Sequence, residues 1–327
     1  MDGPTNSSAV AKNAPRILCI GIPVRDLTFR VPGLPTRGSK EHATHFDQIC
    51  GGNALNAAIG LARLGARASI CGPMGEAGET SAAFIFEQLA REGVDTRDLV
   101  HMPGLVTPIS SIMIDPSGER TIVSFRDPEL LKVRLPDAAR LLNDCSAVLI
   151  ESRCAEFGTD LCVEARRRGI PVIVDIDSAM SLRERLLTAS SHLVFSSEPL
   201  QATAGVADDA EALKKIAKLT PAFLAATLGI KGTLWLDEHQ NLRHTPAFPV
   251  DAVDTLGAGD VFHAALALAI TEKQDLTTAL QFASAAAALK CTRYGSAFAA
   301  PQRAEVDAFL RQGPTAAQLR TMNNDLL

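Results

Sequence analysis

The chain has 327 residues, 46% of them hydrophobic and 21% charged, with a formal net charge of −5 spread along its length. It can bury a sizeable core, and it lacks the basic face that nucleic-acid binding needs. Its apolar runs are too short to span a bilayer, and residues 1–15 have no apolar signal segment, so they read as a disordered leader on a cytoplasmic protein.

RILCIGI, residues 16–22, is a short apolar run that reads as a buried strand. Residues 27–31 and 41–49 look like half-exposed strands on either side of the turn signal PGLPTRGSK. NALNAAIGLARL, 53–64, is an Ala-rich amphipathic helix stopped by Gly65. A strand at 68–71 and a helix at 78–92, stopped by Gly93, follow. Residues 110–115 and 120–125 flank PSG and predict a hairpin. Strands and helices then alternate over 147–150, 159–168, 172–175, 192–195, 208–219 and 222–228. A second hairpin occupies 233–236 and 242–244, and helices are expected at 260–270, 276–291 and 302–312. The seven cysteines (Cys19, Cys50, Cys71, Cys145, Cys154, Cys162, Cys291) form no CxxC pair and read as reduced, mostly buried thiols.

Alternation of this kind predicts an α/β fold with a mainly parallel sheet covered on both faces. The four early β segments do not belong to that sheet; they predict a small antiparallel lid over one end. Ligands of such sheets lie at the carboxyl ends of the strands. Asp26, Arg153, Asp175, Ser196, Gly229 and the stretch DTLGAGD, 254–260, are expected at that edge.

DTLGAGD runs straight into the apolar VFHAALALAI. Alone, Asp260 reads as a helix-cap acid, and Gly257 and Gly259 read as a turn. Together, a Gly-Ala-Gly run opening a helix bares successive N–H groups that bind an anion. A carboxylate beside such a hole suits proton removal from a hydroxyl while the N–H groups hold a transferring phosphoryl.

DTLGAGDVFHAALA resembles the C-terminal signature of the ribokinase-like carbohydrate kinases, the PfkB family. GGNALNAAIGLARLGARASICGPMGEAG, 51–78, resembles the family's other signature, and GIPVRD, 21–26, and TLGIKG, 227–232, also match. The similarity spans roughly residues 16 to 310, with its elements in family order. It implies a three-layer α/β/α core as one kinase domain over 16–327, with a lid from about 24–49 and 106–126. It further implies ATP as donor, Mg²⁺, and a sugar-like hydroxymethyl acceptor.

By the same resemblance, Asp260 is the general base and Gly257, Ala258 and Gly259 form the anion hole. Asp26, Gly51, Gly52 and Asn56 hold the sugar, and Ser196, Thr227, Gly229 and Gly232 lie along the nucleotide. Asp254 opens a loop that binds a monovalent cation, K⁺, in many members. The magnesium-associated acid would be Glu198, although FSSEPLQATAG has Ser196 where the family has Asn and places Glu198 one residue early. After the strand ending at Ile150, either Glu151 or Arg153 is placed to meet the acceptor.

Several stretches, among them GLPTRGSK and FSSEPL, resemble the sulfofructose-kinase branch. There a Lys and an Arg at the positions of Lys40 and Arg153 grip a sulfonate. Against that branch, Asn56 is the ordinary sugar-kinase residue, and Ser124 stands where an Asn would help hold the sulfonate. Neutral-sugar and nucleoside kinases stay open as alternatives, the latter wanting more aromatic residues than 5%. A dinucleotide oxidoreductase is disfavoured by the missing GxGxxG, and a P-loop enzyme by the missing GxxxxGK. A non-catalytic binder would have lost Asp260 or the glycines. A lid with open edges predicts a homodimer formed through it.

Overall fold

The computed structural model describes residues 13–117 and 119–313. The leader expected at 1–15 lies outside the described residues over 1–12. Ala14 and Pro15 are described, and their carbonyls accept from Arg67.

The elements follow as β1 (Arg16–Ile20), β2 (Val24–Arg30), β3 (His45–Gly51), α1 (Asn53–Arg63), β4 (Arg67–Met74), α2 (Thr80–Arg91), β5 (Asp95–His101), β6 (Ile109–Ile114) and β7 (Arg120–Phe125). After them come α3 (Ala138–Leu141), β8 (Ala147–Glu151), α4 (Ala155–Arg167), β9 (Val172–Ile176), β10 (His192–Ser196), α5 (Ser197–Ala204) and α6 (Asp209–Ala217). The chain closes with β11 (Phe223–Thr227), β12 (Thr233–Leu236), β13 (Leu242–Thr245), α7 (Ala258–Thr271), α8 (Leu276–Cys291) and α9 (Arg303–Gln312).

The large sheet runs β13-β12-β11-β10-β9-β8-β1-β4-β5, parallel except for the β12 and β13 pairings at one edge. β1 shows how its core is built. Ile17 and Cys19 pack with α1, α7 and α8, while Leu18 and Ile20 pack with α4 and α6. Period-2 alternation thus feeds both faces. From β1 the chain winds outward through β4 and β5, then returns to β8 on the other side. The direction of winding reverses between β1 and β8, and the crevice at their carboxyl ends is the ligand position in sheets of this kind.

A separate sheet, β3-β2-β6-β7, forms the lid. It was expected to be antiparallel throughout. β2 and β6 are parallel, because they are joined through the core rather than by a hairpin. Asp26 was placed at the end of the first core strand, but it lies inside lid strand β2, opposite Ile49 and Ser110. β1 stops at Ile20, and Pro23, which cannot donate to a ladder, carries the chain across to the lid. β5 and α5 were not anticipated: DTRDLVH has too few apolar positions to show a period, and SEPLQATA is only 8 residues long.

Candidate active site

α1 and α7 bring the crevice together. Gly60 of α1 faces Ala264 of α7 so closely that an added Cβ would stand 3.2 Å from the Ala264 methyl. One helical turn back on both helices, Asn56 Nδ2 donates to Asp260 Oδ2 at 2.7 Å. The other amide atom, Asn56 Oδ1, is buried and has no partner among the described residues. Burial of the Asp260 carboxylate, with Asp175 close by, holds its pKa well above the usual range; the Asn56 amide opposes this.

The first turn of α1 touches more carboxylates. Asn53 Nδ2 donates to Asp175 Oδ2 at 2.9 Å and to Asp177 Oδ2 at 3.0 Å. Ala54 N–H donates to Glu151 Oε1 at 2.8 Å. Glu151 is 6% exposed, and burial pushes its pKa up to about 7. Asp175 is also raised, by burial first, with His263 opposing. His263 Nε2 stands 3.5 Å from Asp175 Oδ1, and its Nδ1 bonds Gly259 O at 2.7 Å. Carboxylates at the ends of β8 and β9 are thus gathered under the helix that faces Asp260.

The N-terminus of α7 is open. Gly257, its cap, has φ 78°, and an added Cβ would meet Ser296 Oγ at 2.9 Å. Its glycine is required by the turn itself. Gly259 differs: its φ is ordinary, and an added Cβ would meet nothing within 4 Å. Neither strain nor packing explains a glycine there, inside a helix, where Gly costs about 0.5–1 kcal/mol relative to Ala. Ala258 N–H already donates to Thr255 O at 3.2 Å. The N–H groups of Gly257, Gly259 and Asp260 have no acceptor among the described residues.

Across the crevice the Asp26 carboxylate lies over Gly51, where a Cβ would overlap it at 1.9 Å. Burial pushes Asp26 up to about 6 despite a hydrogen bond from Ser110. The Ser110 hydroxyl also bonds Ser124 at 2.9 Å, which engages Ser124 within the lid. Gly52 caps α1 at φ 98°, where a side chain would strike Ile22 O at 2.5 Å.

Residues 14–303 match the family model of the pfkB family carbohydrate kinases. The chain belongs to that family. A ribokinase from Bacillus subtilis is 28% identical over 297 residues, spanning 90% of this chain and 99% of its own. A ketohexokinase from Mus musculus is 28% identical over 292 residues, spanning 86% and 97%. The crystal structure of a provisional ribokinase from Agrobacterium tumefaciens superposes with a TM-score of 0.87 at 34% identity, covering 92% of this chain and 98% of that one. The protein is therefore a carbohydrate kinase, a phosphotransferase with an alcohol acceptor, on a ribokinase-like fold.

At the other end of the kinase's crevice, Ser196 and Thr227 sit side by side across β10 and β11. Gly229 opens a short 3₁₀ turn, Gly229–Lys231, with free space above it. An added Cβ at Gly232 would meet Thr245 O at 2.2 Å, so that glycine serves the β12–β13 edge. Glu198 is exposed in the first turn of α5 and makes no hydrogen bond or ion pair among the described residues. Among those residues no three His, Cys, Asp or Glu side chains form a metal cage.

Arg153 is paired with Asp177 at 2.9 Å, and Lys40 is exposed with no bond to the cluster. Arg153 thus already has a carboxylate beside it. Asp254 is likewise engaged: Leu256, Gly295 and Ser296 donate N–H bonds to it, and the Lys290 ammonium lies 3.1 Å away. Burial works against its charge, yet Lys290 and these donors hold its pKa below the usual range. Asn53, Asp177, His263 and Lys290 were not singled out in the sequence. The one available signal was a lone His or Lys inside an Ala-rich apolar helix.

Proposed function

We propose that this kinase transfers the γ-phosphoryl group of ATP to a hydroxymethyl group of a neutral sugar, with Asp260 as general base. The observation that carries this reading is Asp260 itself: a carboxylate of raised pKa beside three unused N–H groups at a helix start. A base poised nearer neutrality takes a hydroxyl proton more readily, and positioned proton transfer is worth about 10²–10⁴-fold. The proton passes from the sugar hydroxyl to Asp260 as its oxygen attacks phosphorus. Asn56 holds the carboxylate in place through Oδ2, leaving Oδ1 for the substrate. The N–H groups of Gly257, Gly259 and Asp260 face the charge on the phosphoryl oxygens. Asp26, Gly51, Gly52 and Asn56 bind sugar hydroxyls, with the Asn56 Oδ1 acceptor free to receive one. Ser196, Thr227, Gly229 and Gly232 border the nucleotide.

Magnesium bound with the nucleotide would neutralise phosphate charge. It would be held largely by phosphates and water, with Glu198, which makes no hydrogen bond or ion pair among the described residues, as the protein acid near the nucleotide edge. The domain reading is one kinase unit whose lid closes over the sugar. Exposed Phe46, Val123 and Phe125 on the lid support its pairing with a second copy.

A neutral acceptor is favoured by the carboxylates around α1 and by the Arg153–Asp177 pair. A second reading, an anionic sugar such as 6-deoxy-6-sulfofructose, draws on the unengaged Lys40 and the 46% exposure of the Arg153 side chain. A screen with MgATP decides between them, using ribose, fructose, 2-keto-3-deoxygluconate, adenosine, fructose 6-phosphate and sulfofructose. The expected result is the highest kcat/KM on a neutral sugar. An anionic sugar winning, with its KM raised about tenfold by Arg153→Ala, would replace the neutral reading. No turnover of any hydroxymethyl compound would remove both.

A further inference from the structure

Asp254 begins the loop where a monovalent cation was expected, and its surroundings do not fit one. Lys290 reaches from the last turn of α8 and is 0% exposed. Its ammonium donates to Asp254 O at 2.7 Å and stands 3.1 Å from Asp254 Oδ2. Oδ2 also accepts from Gly295 N–H at 3.1 Å and Ser296 N–H at 3.2 Å, while Oδ1 accepts from Leu256 N–H at 2.9 Å. The carbonyl and carboxylate that would coordinate an ion already face a positive charge. A second cation there would meet both that charge and a ring of N–H donors.

We propose that the Lys290 ammonium is a built-in monovalent cation, making the loop that opens α7 independent of K⁺. Lys290 is then a positioning residue, since it touches neither substrate nor reacting atoms. It fixes Asp254, and Asp254 ties the loop to Gly295 and Ser296, the latter being the residue against which Gly257 packs. The free N–H groups of Gly257, Gly259 and Asp260 follow directly. In an ion-filled loop the same order would depend on the salt present; here it is attached to the chain. The kinetic consequence rests on the phosphotransfer reading above, whereas the structural one does not.

The test compares KCl, NH₄Cl and tetramethylammonium chloride at equal ionic strength, the last cation being too large to enter the loop. Thermal unfolding midpoint and initial rate are both read. The wild-type protein should give the same midpoint and kcat in all three. Lys290→Met keeps the apolar stem and removes the charge. In tetramethylammonium it should lose about 10–100-fold in kcat through a misaligned loop. KCl or NH₄Cl should restore most of that loss and raise the midpoint. K⁺ activation or K⁺ stabilisation of the wild type overturns the proposal. So does a Lys290→Met protein that is unimpaired in tetramethylammonium, or one that no small cation rescues. If Lys290→Met does not fold, the wild-type arm still decides. The midpoint needs no sugar, so a failure of the phosphotransfer reading leaves this test intact.

Discussion

Asp254 and Asp260 stand at the two ends of one loop, yet their surroundings are opposite. Asp254 is met by three N–H donors and a buried ammonium, and its pKa is lowered. Asp260 has one amide for company, other carboxylates nearby, and a raised pKa. Five residues therefore separate a carboxylate held as a permanent anion from one prepared to accept a proton. Sequence places acids at both ends; the partners that distinguish them arrive from α8 and α1. The same split runs through the two glycines between them, one required by the turn and one left with open space.

The contrast can be broken most forcefully at Asp260. Asp260→Asn should lower kcat by about 10²–10⁴-fold on the best acceptor while circular dichroism stays unchanged. Near wild-type turnover would remove Asp260 from the chemistry.

Glu151 sharpens the point that the crevice stores unfavourable negative charge. Its pKa rises from 4.5 to about 7 on folding, so the folded protein binds that proton more tightly. The contribution is fully present below pH 4.5 and is lost as pH rises to about 7. Glu151→Gln, which keeps the acceptor for Ala54 N–H, should remove this slope and stabilise the protein above pH 7 by up to about 3 kcal/mol. Denaturant melts of both proteins from pH 4 to 8 check it; parallel curves would contradict it.

The glycines give the smallest effects on stability. Gly257→Ala should cost about 1–2 kcal/mol from its left-handed backbone, with the Ser296 contact in addition. Gly259→Ala should leave stability equal or slightly higher, and Gly259→Val should stop turnover with the sheet intact. Equal losses of stability at both positions would erase the distinction.

Most of the core was legible because buried periodicity is local. NALNAAIGLARL and the helix ending at Cys291 lie where their apolar patterns place them. What was not legible is tertiary. Lys290 meets Asp254 across 36 residues, and no spacing rule links a lysine at the end of one helix to a carboxylate before another. Asn53 reads like any polar residue in a first helical turn until β9 brings Asp175 and Asp177 beneath it. Strand direction is equally silent in sequence, so the parallel β2–β6 pairing was missed. A lysine and an arginine at the positions of Lys40 and Arg153 suggested a shared anion, and only the structure shows Asp177 already paired with the arginine.

The most direct measurement is the unfolding free energy of Asp254→Asn and Asp260→Asn, side by side at pH 8. Asp254→Asn leaves the Lys290 ammonium buried without its counter-charge and should lose about 3–5 kcal/mol. Asp260→Asn removes a carboxylate crowded by others and should lose nothing, or gain. A larger loss at Asp260 than at Asp254 would show that the two ends of the loop had been assigned the wrong way round.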